Sequence, residues 1–279
     1  MQFVTTTDQS SGKEIKLRYQ EHGSGQPIVF IHGWPLSGDV FEYTFEQLSR
    51  RGFRCIAYDR RGFGFSSKVG ESYDYDTLAA DLDAVMNELD LRDAILLGFS
   101  MGGGEVARYI GTYGEDRLAG AVFVSSVTPY MLDTDDHDGV DWSVFQGMID
   151  GLRKDHPGFI AQWAKQFYGV GLLSNPVSDE MLAWTASMAS LGSLRATVDC
   201  VTAFGKTDFR GDINQVTVPT LIIHGKDDKI VPIDVSAERT HDMIKGSTLL
   251  RYDGAPHGLF YTHMDRFNED LMAFAGRIK

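Results

Sequence analysis

The feature that most constrains the fold is a rhythm of short, continuous apolar runs, each followed by an amphipathic stretch. Ile28-Val29-Phe30-Ile31 is apolar at four successive positions. Such a strand has no side to offer to water, so it needs cover on both faces, as in a parallel sheet between helices. Comparable runs recur at Phe53 to Tyr58, Ala94 to Phe99, Ala121 to Ser125, Thr220 to His224 and Thr248 to Tyr252. Ile15 to Tyr19 alternates instead and predicts an early hairpin strand. Between the runs, Leu78, Leu82, Val85, Met86 and Leu89 fall at helical spacing. A second helix is expected just after Ser100, through Ala107 and Ile110, and a last one from about Met264 to Ile278. The expected class is α/β, with a mostly parallel sheet and helices on both faces.

One interval breaks the rhythm. A strand-to-strand crossover needs about 30 residues, yet the runs near Val124 and Leu221 are almost a hundred apart. The intervening segment, 130–205, is helical in pattern, rich in Trp, Phe and Met, and has no strand-like run. It is expected to be a helical cap inserted into a sheet domain made of 1–129 and 206–279. Its aromatics are mostly cap core, with some facing a pocket. The formal charge of −13 disfavours nucleic acid and anionic membrane surfaces as partners. Two cysteines, Cys55 and Cys200, cannot build a disulfide framework. With no signal peptide and no membrane-span-length apolar run, the expected location is cytoplasmic.

The chemistry is concentrated at three loops. Gly98-Phe99-Ser100-Met101-Gly102 follows a strand and opens a helix, the context of a nucleophile elbow. Side chains at Gly98 and Gly102 would collide with neighbouring backbone in so tight a turn. A serine nucleophile needs a base, and in this architecture the acid and then the histidine follow it in the chain. The run Thr220 to His224 leads into Gly225-Lys226-Asp227-Asp228-Lys229-Ile230-Val231-Pro232, which places Asp228 as the acid and Asp227 as its competitor. After the last strand, Asp253-Gly254-Ala255-Pro256-His257-Gly258 presents His257 on a shaped loop. His32 and His224 end strands before glycine and read as structural, and the other five histidines as surface or cap positions. For an oxyanion, one donor is the Met101 N–H. The other comes from His32-Gly33-Trp34-Pro35, where Trp34 has an N–H and Pro35 has none. The Trp34 indole is then expected in a pocket wall.

Other patterns fail. Gly205-Lys206-Thr207 lacks the earlier glycine of a P-loop, Cys200 standing in its place. The acidic stretch from Asp133 to Asp141 does not fit a calcium loop. No zinc or dinucleotide motif occurs, so no metal or cofactor is expected. A haloalkane dehalogenase would need a carboxylate where Ser100 stands.

These motifs together resemble the α/β-hydrolase superfamily, over essentially the whole chain. More narrowly, Gly98 through Tyr109, Asp199-Cys200-Val201-Thr202-Ala203-Phe204 and Thr207-Asp208-Phe209-Arg210 resemble the bacterial cofactor-free haloperoxidases and aryl esterases. The resemblance implies an eight-stranded α/β-hydrolase sheet with an inserted cap and a Ser-His-Asp esterase acting on small or aryl esters. It also implies perhydrolysis, in which a carboxylic acid or ester and hydrogen peroxide give a peracid that oxidises halide without haem or metal. Pro35 after the oxyanion tryptophan resembles members named for peroxidase activity. The resemblance places Trp34, Pro35, Trp163, Phe167, Ile230 and Ile233 around the substrate, leaves Met131, Phe145 and Met148 as variable positions, and implies a trimer or a dimer of trimers. Alternatives are a lactonase or γ-lactamase using the same triad, or a non-catalytic ligand receptor on the same fold.

Overall fold

The computed structural model describes residues 1–171 and 174–278. Eight strands form one sheet in the order β1 (Gln2–Thr7), β2 (Glu14–His22), β4 (Phe53–Tyr58), β3 (Gln26–Ile31), β5 (Ala94–Phe99), β6 (Leu118–Val124), β7 (Thr220–Gly225) and β8 (Thr248–Tyr252). β1 pairs antiparallel with β2, and β2 with β4; every later pair is parallel. β5 and β7 are buried at every position, as their unbroken apolar runs require. The hairpin partner of β2 is β1, which the apolar pattern did not disclose. Its sequence is threonine-rich, and Val4 is its only fully buried side chain.

Two helix pairs cover the sheet. α1 (Glu42–Ser49) packs with the C-terminal helix α11 (Met264–Ala275), and α2 (Tyr75–Glu88) packs with α3 (Met101–Tyr113). Between β6 and β7 the chain makes α4 (Trp142–Lys154), α5 (His156–Phe167), α6 (Asp179–Ala189) and α7 (Leu194–Lys206). α4 packs with α7, and α5 with α4 and α6. Each of the four starts at a side-chain cap: Asp141, Asp155, Ser178 and Ser193. Such caps satisfy N–H groups that lack an intrahelical partner. The acidic stretch therefore has ordinary work: Asp141 caps α4, Asp136 pairs with Arg210, and Asp138 pairs with Arg239. His137, expected at a surface or cap position, is buried against the Tyr130 carbonyl oxygen and Arg239. The short helices α8 (Arg210–Ile213), α9 (Ala237–Met243) and α10 (Leu259–Thr262) complete the chain.

Candidate active site

Ser100 stands between β5 and α3 with φ 53° and ψ −118°. A non-glycine residue in this region costs about 1–3 kcal/mol and persists only where the surroundings impose it. Here they do. The Ser100 N–H donates to the Val124 carbonyl oxygen at 2.8 Å, and the Gly103 N–H donates to the Ser100 carbonyl oxygen at 3.0 Å. The flanking glycines are required by close approach. A β-carbon on Gly98 would lie 2.5 Å from the Gly102 carbonyl oxygen, and one on Gly102 would lie 2.2 Å from that of Ile31. Gly102→Ala is therefore expected to destabilise the fold by about 3 kcal/mol through overpacking against backbone that cannot yield. A lowered denaturant midpoint with an unchanged m-value checks it.

The loops after β7 and β8 bring the acid and the base to the same edge of the sheet. The Lys226 N–H donates to the Tyr252 carbonyl oxygen and the Asp227 N–H to that of Ala255, which ties the two loops together. His257 Nδ1 lies 2.6 Å from Asp228 Oδ2, and His257 Nε2 lies 2.9 Å from Ser100 Oγ. A carboxylate only accepts, so Nδ1 carries the proton and Nε2 is left to accept from the Ser100 hydroxyl. Asp227 is exposed and has no part in this chain of contacts. Asp228 Oδ1 accepts from the N–H groups of Ile230 and Val231, each at 2.9 Å. Burial alone would raise the pKa of Asp228. The His257 charge and the hydrogen bonds from His224 and His257 outweigh it and hold the carboxyl well below the usual carboxylate range.

The Gly33–Trp34 peptide is fixed from behind. His32 Nε2 accepts from the Arg60 N–H at 3.0 Å, so the proton lies on Nδ1, which faces the Gly33 carbonyl oxygen at 2.9 Å. Burial and the Arg60 charge hold the pKa of His32 well below its ordinary value, which keeps the ring neutral. The Leu36 N–H binds the same carbonyl. In a trans peptide the N–H points opposite to the C=O, so the Trp34 N–H is directed away from these partners. Neither it nor the Met101 N–H has a hydrogen-bond partner among the described residues. These are the two donors the sequence nominated for the oxyanion.

A narrow cavity opens above Ser100 and His257, which among the described residues are its only polar side chains apart from the two indoles, Trp34 and Trp163. Its walls include Trp34, Met131, Phe145, Trp163, Phe204 and Ile230. Val144, 54% exposed, marks its mouth. Of the positions nominated for the substrate pocket, Trp34, Trp163 and Ile230 line this cavity. Three other nominated positions do not line the cavity. Phe167 is fully buried behind His257, its ring edge-on at a centroid distance of 5.7 Å, because it fills the space between the base and Phe260. Pro35 is buried beside Trp34 but outside the wall. Ile233 turns the chain into α9, its carbonyl oxygen accepting from the N–H groups of Ser236 and Glu238. The walls that sequence reasoning did not assign, such as Val127 and Phe204, are apolar residues with no local signal that separates them from core. Among the described residues no His, Cys, Asp and Glu cluster is arranged to hold a metal ion.

Residues 26–264 match the family described as alpha/beta hydrolase fold. A non-haem haloperoxidase of Rhodococcus erythropolis is 41% identical, with 98% of this chain and 99% of that protein covered. The chain belongs to the α/β hydrolases, and within them to the non-haem haloperoxidase family. This α/β hydrolase is also 36% identical to a bifunctional esterase/perhydrolase of Acinetobacter calcoaceticus, over 98% of this chain and 99% of that one. The crystal structure of a bromoperoxidase from Bacillus anthracis superposes with a TM-score of 0.94 at 42% identity, covering 99% of this chain and 100% of the other.

Proposed function

We propose that this α/β hydrolase is a serine esterase of small or aryl esters whose acyl-enzyme also reacts with hydrogen peroxide. The observation that carries the reading is the Ser100–His257–Asp228 chain of contacts, set beside two unpartnered backbone N–H groups at an apolar cavity. Ser100 Oγ attacks the ester carbonyl while His257 Nε2 takes the hydroxyl proton, and Asp228 stabilises the imidazolium. The tetrahedral oxyanion is held by the N–H groups of Trp34 and Met101. Collapse returns the proton to the leaving alcohol and leaves an acyl-Ser100. Water, activated by His257, releases the carboxylic acid. Hydrogen peroxide in the same position releases a peracid and restores the serine hydroxyl. The peracid then oxidises halide to hypohalite, itself reduced to the carboxylic acid, in a step that needs no metal. The names of the relatives from R. erythropolis, A. calcoaceticus and B. anthracis support this pairing of activities.

The perhydrolase half is tested by bromination of monochlorodimedone in acetate buffer with bromide and peroxide. The expected rate exceeds the enzyme-free blank and depends on acetate. A rate equal to the blank, with aryl acetate hydrolysis intact, would leave an esterase alone. A reduced, cytoplasmic setting is part of the reading and is supported by Cys55 and Cys200. Both are unpaired and buried, and burial pushes their thiols up to about 12. No helix among the described residues is long and apolar enough to cross a membrane. Assembly as a trimer or a dimer of trimers, the expectation from resemblance, is read directly by sedimentation equilibrium.

A further inference from the structure

Asp228 meets two imidazoles, and one of them lies outside the triad. Its Oδ2 is 2.6 Å from His257 Nδ1 and 3.3 Å from His224 Nε2. His224 is the penultimate residue of β7 and is fully buried. Its Nε2 also lies 2.9 Å from the Val231 carbonyl oxygen. A carbonyl oxygen only accepts, so Nε2 carries the proton, bonds Val231 and holds its positive edge close to Asp228. Nδ1 is shielded from solvent and has no partner among the described residues. A second proton there would be a buried donor without an acceptor, at a cost of about 1–3 kcal/mol, so the ring is set as the Nε2–H tautomer. The titratable groups around it are Asp228 on the following loop, His257 beyond Asp228 on the loop after β8, and Glu238 of α9, which is paired with Arg251 of β8.

This arrangement fills the shell of the carboxylate. Oδ1 takes two backbone N–H groups, and Oδ2 takes the His257 N–H at 2.6 Å with the His224 N–H beside it at 3.3 Å. A carboxylate has room for about four such donors. With one donor absent, more of its negative charge falls on the remaining ring, and its plane is held by fewer contacts.

We propose that His224 is a positioning residue for Asp228. Its N–H fixes the rotation of the carboxylate and takes up part of the charge that otherwise acts on His257. The proposal rests on the serine-triad reading above. It assigns His224 a part in setting the basicity of the triad, beyond the structural role at a strand end that its sequence context suggests.

The test compares His224→Leu with His224→Gln, whose side-chain amide can present a donor near the position of Nε2. Substrate is p-nitrophenyl acetate, with kcat and KM measured across pH. In His224→Leu, kcat is expected to fall about 10-fold with KM little changed, and the acidic limb of kcat/KM to move up by about one pH unit, since the carboxylate then acts more strongly on His257. His224→Gln is expected to restore both. A pH profile that stays in place in His224→Leu overturns the proposal, as does an equal loss in both variants with no shift of the limb, which marks a packing role. If His224→Leu does not fold, His224→Gln decides the matter: a displaced limb there contradicts rescue by a donor. Activity that survives Ser100→Ala would instead overturn the triad reading, whatever His224 does.

Discussion

Ser100→Ala is expected to lower kcat for aryl acetate hydrolysis by about 10⁵-fold, since triad members act as a unit and the loss of one forfeits nearly the whole of their joint effect. Among the described residues the cavity lining holds no second hydroxyl, thiol or carboxylate to replace it, its other polar side chains being His257 and the indoles of Trp34 and Trp163. The fold should survive. The variant loses one hydrogen bond to His257, worth about 1 kcal/mol, and keeps the backbone contacts that hold the elbow. Stopped-flow or steady-state hydrolysis checks the first expectation, and denaturant unfolding the second. Peroxide-dependent bromination must fall with hydrolysis, because both pass through the acyl-serine. Bromination that persists while hydrolysis is lost would show that the two reactions do not share this serine.

The second large effect is expected away from the chemistry. Arg60 Nε donates to Glu105 Oε2 at 2.7 Å, and Arg60 Nη2 donates to the His32 carbonyl oxygen at 2.8 Å. Both side chains of the ion pair are fully buried. Glu105→Ala would leave a guanidinium charge enclosed without its partner, and breaking one side of a buried pair costs about 3–5 kcal/mol. That is a large fraction of the roughly 5–15 kcal/mol that holds a typical domain folded. Removing both partners, as in Arg60→Met with Glu105→Leu, is expected to recover most of the loss, since the penalty comes from the orphaned charge. Guanidinium unfolding of the two singles and the double supplies the comparison. Equal stability of the Glu105→Ala protein and the parent would contradict it. The activity of the double variant is informative as well. Arg60 holds His32, and His32 holds the peptide that carries the Trp34 N–H, so a variant can regain stability and still turn over more slowly.

Much of this was legible in the sequence, for reasons that differ by residue. Ser100, Asp228 and His257 were readable because the chemistry needs particular residue types at the ends of particular strands, and glycine marks where backbone must pass close. The strands β3 to β7 were readable because burial on both faces favours unbroken apolar runs, whereas β8, with Thr248 and Arg251 exposed, keeps only a short run at Leu249 and Leu250. β1 was not, since an edge strand with one buried valine carries almost no pattern. Phe167 shows a different limit. Its helical spacing and aromatic character fit a pocket wall and a packing residue equally, and the difference lies in which way a ring faces after folding. His224 was hidden by its neighbours: a histidine before glycine at a strand end has the same local context whether or not it touches the acid.

Two hydrogen bonds tie the helices between β6 and β7 to the base and to the oxyanion loop. The Gly258 N–H donates to the Phe167 carbonyl oxygen at 2.8 Å, at the end of α5, and the Phe167 ring backs His257. Trp34 Nε1 likewise donates to the Thr197 carbonyl oxygen of α7, at 2.9 Å. Swinging these helices away as a hinged lid would pull on the proton acceptor and on the oxyanion loop at once. The side chains at the rim, Val144 and Met148, touch neither tie, and such side chains change rotamer on the nanosecond scale. A few methyl groups stepping aside at that rim would widen the way in and leave both hydrogen bonds beneath it intact.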